Sequence, residues 1–174
     1  MKAFHLALFL LLLIANAARK FELCELYYKL RAFGMDGFRG VKVNKLVCLS
    51  QFPAEGNTRH YAVDRHNVPY YGIFQLSGRE WCDNGRQTTR NKCNTSCDRF
   101  LDDSIRDDVQ CLRKALREYK LNHWSNYRKN CNLNTLLIYN LKCAFFFEND
   151  KWYKNTIQEE PRKPLKVHIH FPRP

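Results

Sequence analysis

Between Phe21 and Phe33 the apolar residues Leu23, Leu26, Tyr27 and Leu30 recur at helical spacing, and Gly34 follows as a stop signal. This pattern predicts a first amphipathic helix. A second is expected from about Asn44, a good N-cap, through Leu46, Val47, Leu49 and Phe52, ending at Pro53 because proline removes a donor from the ladder. From Gly56 to Gly85 helical periodicity is absent and Asn, Thr, Tyr, Gly and Arg alternate with short β-prone pieces, which predicts small antiparallel strands joined by turns. The helical period returns at Ile105, Val109, Leu112 and Leu116, spaced four, three and four. Trp124 and Tyr127 suggest a short helix within His123 to Asn130, and Leu136 to Leu141 is an apolar stretch of ambiguous period, read as a turn. Helices, then a small β lobe, then helices make an α+β protein.

Both ends differ from this middle. Met1-Lys2, the apolar run Leu6 to Ile14 and the small residues Ala15 to Ala18 have the layout of a secretory signal peptide, assigned to residues 1–18. No second apolar run approaches the roughly 20 residues of a membrane-spanning helix, so the expectation is a secreted, extracellular, monomeric protein. Residues 144–174 form a basic, proline-rich extension, expected to be flexible. His168 and His170 within it lack a third ligand and make a weak metal motif. Residues 19–143 are left as one domain, long enough for a single core with disulfide support.

Eight cysteines, Cys24, Cys48, Cys82, Cys93, Cys97, Cys111, Cys131 and Cys143, fall inside that domain. In a secreted chain an even set of this density is a disulfide frame, although about a hundred pairings are open to it. The formal net charge is +12 and falls by one when Lys2 leaves with the signal. Such a charge suits an anionic partner, such as a bacterial surface, as well as simple solubility. No nucleic-acid motif accompanies it, so nucleic-acid binding is not expected.

Tyr71-Gly72-Ile73-Phe74-Gln75, then Trp81-Cys82, Cys93-Asn94-Thr95-Ser96-Cys97 and Cys111 resemble the c-type lysozyme and α-lactalbumin family in order and spacing, over about Lys20 to Cys143. The resemblance implies a helical lobe and a small antiparallel β lobe with a cleft between them. It also implies the disulfides Cys24–Cys143, Cys48–Cys131, Cys82–Cys97 and Cys93–Cys111. Asn94-Thr95-Ser96 is in addition a glycosylation sequon, a weak signal between two bridged cysteines.

The same resemblance locates the chemistry. Retaining glycoside hydrolysis needs a carboxylic acid to protonate the leaving oxygen and a second carboxylate roughly 5 Å away. In active members of the family the acid is a glutamate five residues after the second-helix cysteine, which here is Pro53, and the carboxylate precedes the tyrosine-glycine-isoleucine box, which here is Tyr70. Neither residue replaces what is lost: proline has no proton to give, and a phenol titrates near 10. Glu55 and Asp64 are the nearest substitutes, and using them would require a rearranged cleft. The wall that contacts sugar in the family is partly kept in Gln75, Trp81 and Trp124, with Ser77 where asparagine is usual and Glu80 where an aromatic is common.

Arg99 to Asp108 resembles the calcium loop of α-lactalbumin and of the calcium-binding lysozymes. The implied Ca²⁺ ligands are the carboxylates of Asp102, Asp107 and Asp108 with the carbonyls of Arg99 and Ser104. The first-turn acids Asp107 and Asp108 also suit a helix dipole, but four acids in seven residues of so basic a chain repel one another without a cation. The expected protein is therefore a secreted, calcium-binding, lysozyme-like protein with little or no hydrolysis. It would recognise an N-acetylglucosamine-containing glycan of the peptidoglycan or chitin type, or a protein partner through the same cleft. The alternatives are an antibacterial lysozyme with rearranged acids, cleaving the β-1,4 bond of peptidoglycan, and an α-lactalbumin-like regulatory subunit.

Overall fold

The computed structural model describes residues 18–146, so the signal segment up to residue 17 and the extension from residue 147, with His168 and His170, lie outside the described residues. The first helix, α1 (Leu23–Ala32), starts in a reciprocal capping box between Glu22 and Glu25 and ends before Gly34, whose φ of +67° closes the last turn. Leu26, Tyr28 and Leu30 form its buried face. A short 3₁₀ turn, Phe38–Gly40, leads into α2 (Val43–Gln51). Asn44 does not cap α2: Lys42 holds the cap position, the Asp36 carboxylate accepts from the Val43 N–H at 3.1 Å, and the Asn44 amide instead donates to the Leu136 carbonyl at 3.1 Å. Tertiary contact has taken that side chain from its local role.

Three short strands follow, β1 (Tyr61–Val63), β2 (Pro69–Tyr71) and β3 (Leu76–Ser77), in an antiparallel sheet of order β1-β2-β3. Its register sorts side chains into two rows. Tyr61, Tyr71 and Leu76 are aligned in one row, where Tyr71 and Leu76 are buried in the core. Ala62, Tyr70 and Ser77 are aligned in the next, which by the alternation of strand side chains belongs to the opposite face. A second 3₁₀ turn, Cys97–Phe100, is capped by the Ser96 side chain and precedes α3 (Arg106–Glu118). The turn Leu121–His123 and α4 (Ser125–Asn130) complete this side.

The segment Leu136 to Leu141, read as a turn, lies inside a helix, α5 (Leu133–Phe146). Asn132 accepts from the Thr135 N–H at 3.0 Å and so caps it. Leu136 and Cys143 face inward, while Leu133, Leu137, Ile138 and Leu141 are exposed, Leu133 at 80%. Apolar residues on both faces erase the amphipathic period, which is why the helix is not legible from pattern. Among the described residues no helix is long and apolar enough to cross a membrane.

All four disulfides of the resemblance are formed, Cys24–Cys143, Cys48–Cys131, Cys82–Cys97 and Cys93–Cys111, and among the described residues no cysteine is free. Two of them fasten α5 and its approach to α1 and α2, which pack against it. Tyr28 adds a hydroxyl hydrogen bond to the Cys143 carbonyl.

Gly72 joins the two lobes. At φ +72° a Cβ there would lie 2.3 Å from the Phe100 carbonyl oxygen and 2.6 Å from Oδ1 of Asp108, whereas Gly85, at φ +66°, has open space around it. Gly85→Ala should therefore cost only the left-handed conformation, about 1 kcal/mol, and Gly72→Ala about 3 kcal/mol or more, because backbone or a buried carboxylate must also move. Chemical denaturation of the two variants checks this, and equal losses would contradict the crowding.

Candidate functional site

A cleft of about 410 Å³ opens between the lobes, and its β wall is the row Ala62, Tyr70 and Ser77. Pro53, Asp64, Gln75, Glu80, Trp81, His123 and Trp124 also line it. The two positions where catalytic acids are expected thus do face the cleft, and they carry Pro53 and Tyr70. Burial, reinforced by the charge of Asp64, holds the Tyr70 phenol above its ordinary pKa, so it stays protonated.

The structure does not bring the substitute acids together. After α2 the chain turns tightly, the Gly56 carbonyl accepts from Phe21 N–H at 2.9 Å, and Lys20 bridges Asn57. That pairing holds the turn against the N-terminal segment and places Glu55 outside the cleft lining, its side chain 74% exposed and paired with Lys20 at 3.0 Å. The Lys20 hydrogen bond lowers the Glu55 pKa, the reverse of what a proton donor needs. Asp64 does face the cleft, yet its carboxylate works as a turn acceptor. Oδ1 takes the N–H groups of His66 and Val68 at 2.8 and 2.9 Å, and Oδ2 takes the Tyr70 hydroxyl at 3.3 Å. The Val68 bond leads in lowering its pKa, so Asp64 is an anion anchored by its loop.

The third cleft carboxylate, Glu80, is neutralised by Arg90 at 3.0 Å and Lys92 at 3.1 Å. Lys92 also pairs with Glu118, and its ammonium lies 5.2 Å from the Trp81 ring centroid and 5.4 Å from that of Tyr119. These carboxylates raise the Lys92 pKa, Glu118 first. The ion-pair chain thus stands where the family often has an aromatic, and it covers part of the Trp81 indole, which is 4% exposed. Trp81 is chiefly a core residue. Gln75 is also largely committed, since its amide nitrogen donates to the Gly72 carbonyl at 2.9 Å and to the His60 carbonyl at 3.3 Å. Of the two tryptophans that line the cleft, Trp124, half-buried, is the one with a surface to offer.

Pattern reading did not single out His123. Its ring stacks on Tyr119 at 4.2 Å and 13° and meets Trp124 edge-on at 6.1 Å, extending the aromatic wall. The sequence signal is the spacing of Tyr119, His123 and Trp124, which the turn between α3 and α4 folds into one patch.

The acidic loop lies beneath Gly72. Asp108 is 2% exposed, its Oδ1 has no hydrogen-bond partner, and burial, joined by the charges of Asp102 and Asp107, raises its pKa well above the carboxylate range. Asp107 is paired with Arg99 at 2.7 Å, Asp102 accepts from the Ser104 N–H at 2.7 Å, and Asp103 pairs with Arg59 at 3.2 Å. Among the described residues no three His, Cys, Asp or Glu side chains converge into a ready metal-holding group. The donor set is of the hard oxygen type that Ca²⁺ takes, and the orphaned Asp108 oxygen is a group that a cation would satisfy.

The model of the C-type lysozyme/alpha-lactalbumin family matches residues 19–143. Lysozyme C of Equus asinus is 36% identical over 125 residues, covering 71% of this chain and 97% of the relative. Sperm acrosome-associated protein 5 of Mus musculus is 32% identical over 146 residues, covering 83% and 91%. The crystal structure of lysozyme from Equus asinus superimposes with a TM-score of 0.68 at 34% identity, over 72% of this chain and 98% of that one. The chain belongs to the C-type lysozyme/alpha-lactalbumin family.

Proposed function

We propose that this protein is a secreted, calcium-stabilised lectin-like member of the family, which holds an N-acetylglucosamine-containing glycan in its cleft without efficient hydrolysis. The observation that carries the reading is the cleft itself: it keeps Trp124 and an aromatic wall, while Pro53 and Tyr70 occupy the positions of the two acids. A sugar ring stacks on an indole through its apolar face, and this needs no acid. Hydrolysis needs a protonated carboxyl beside the leaving oxygen, and each acid near this cleft is exposed and paired, anchored in a turn, or neutralised by cations. Four disulfides favour an oxidising compartment and support secretion. Names within the family extend beyond lysozyme, as the mouse sperm acrosome-associated relative illustrates.

Calcium belongs to the same reading. Asp102, Asp107 and Asp108 with the carbonyls of Arg99 and Ser104 would hold it. Bound there, a divalent cation supplies charge compensation for the buried Asp108. The Arg99 guanidinium occupies Asp107 and would have to release it.

Titration with an N-acetylglucosamine trimer should quench or shift tryptophan fluorescence, and Trp124→Ala should weaken binding about tenfold, ~1.4 kcal/mol. An unmoved signal would remove glycan binding from the proposal. Lysis of bacterial cell walls should run on the order of a thousandfold below that of a lysozyme with both acids, since general acid catalysis alone is worth roughly 10²–10⁴. Glu55→Gln should leave any residual rate unchanged, and a drop on that substitution would restore Glu55 to catalysis. Calcium at about a hundred times its Kd should raise the melting temperature by about 8 °C, a shift absent in Asp107→Ala. A chelator that leaves the wild-type melting temperature in place would refute the calcium site.

A further inference from the structure

A second cavity, of about 540 Å³, lies behind the segment that forms the cleft's aromatic wall. His123 and Trp124 line the cleft, whereas residues 116–122 line this cavity, so the two share a partition. Its chemistry is different. Four cations from three pieces of chain border it: Arg39 from the first 3₁₀ turn, Lys45 from α2, and Arg117 and Lys120 at the end of α3 and just after it. Leu116, Leu121 and Tyr127, all buried, supply an apolar floor.

Compensation is missing. Among the described residues none of the four cations enters an ion pair, and the only carboxylate lining the cavity, Glu118, is already engaged by Lys92. A protein with surplus positive charge gains nothing in folding from converging four unpaired cations on one concavity, because they repel one another. One of them is held in place and another sits on a strained backbone. Arg117 lies over the Phe38 ring with its guanidinium carbon 5.9 Å from the centroid. Arg39 adopts φ +52° and ψ +32° between Gly37 and Gly40, themselves at +80° and +76°. Glycine would suit that backbone better than arginine, and strain of this kind collects at binding sites.

We propose that this cavity is a second binding site, separate from the cleft, for a phosphate or sulfate group carried on a partly apolar ligand. The guanidinium groups of Arg39 and Arg117 match the oxygens of such a group in fork geometry, and Lys45 and Lys120 add point charges. The apolar floor contacts the remainder of the ligand.

The test uses the full secreted chain at physiological salt with three probes: inorganic pyrophosphate, a heparin tetrasaccharide, and phosphatidylcholine vesicles containing phosphatidic acid. Arg39→Ala/Lys45→Ala/Lys120→Ala should weaken pyrophosphate binding about tenfold or more, while the equally charged control Arg65→Ala/Arg86→Ala/Lys142→Ala should stay within about twofold. Equal losses in the two triples would mean that net charge alone binds the anion and would overturn the site, as would an unaffected pocket triple. In the wild-type chain pyrophosphate should shift the amide resonances of residues 39 and 116–122 and leave those of 64–70 in place. The opposite pattern refutes the assignment without depending on the variants. If pyrophosphate displaces the tetrasaccharide but vesicles do not bind, the natural anion is soluble; vesicle binding lost in the pocket triple identifies a lipid headgroup.

Discussion

Asp108 is buried against the Cα of Gly72, beside the Phe100 carbonyl, and the β wall of the cleft is positioned through that contact. Gly72 directly follows β2, so whatever holds its backbone also fixes Tyr71 in the core and Tyr70, one residue back, toward the cleft. A side chain at position 72 would separate the strand from the loop that carries the acids. The absence of a Cβ is thus what allows the acidic loop and the sugar-sized cleft to be built against each other. It also means that a change at Asp108 is felt two residues from the cleft surface rather than across the molecule.

The cleft is altered in a coordinated way. Both positions of the catalytic acids are uncharged at neutral pH, and the remaining acids are drawn into local structure: Asp64 closes the turn before β2, Glu55 follows the Phe21–Gly56 pairing to the surface, and Glu80 anchors Arg90 and Lys92. Each of these carboxylates has its partners built in, so recruiting one as a proton donor would break a turn or strand a cation. What is left is a concave surface of rings and polar groups whose carboxylates are already committed, suited to binding without proton transfer.

Much of this was legible in the chain. The helical period at Ile105, Val109, Leu112 and Leu116 is the buried face of α3, and the cysteine spacing gave the four disulfides once the family was recognised. The family resemblance, counted from Cys48 and Tyr71, points to Pro53 and Tyr70, and both line the cleft. Pattern failed where tertiary contact decides. Asn44 has every local reason to cap α2 and is used instead against Leu136; α5 carries apolar residues on both its buried and its exposed side and shows no period; and Lys92, unremarkable in the sequence, covers Trp81 only because Glu80 and Glu118 converge on it. The four cations of the second cavity are spread from residue 39 to residue 120, a separation no motif spans.

Taken as a whole-chain total, the formal charge of +12 argues against any cation at the acidic loop. The total does not decide the matter, because charges separated by more than a Debye length, about 8 Å at physiological salt, are largely screened. The field at Asp108 is set by its neighbours. Burial first, then the charges of Asp102 and Asp107, raise its pKa, and Asp107 has drawn in Arg99 at 2.7 Å. The loop is locally negative inside a basic protein, just as the cavity bordered by Arg39 and Lys45 is locally positive beyond what the average requires. Each concentrates one sign of charge, the loop around the buried Asp108 and the cavity on side chains that reach solvent, so local geometry rather than the total sets the field at either one.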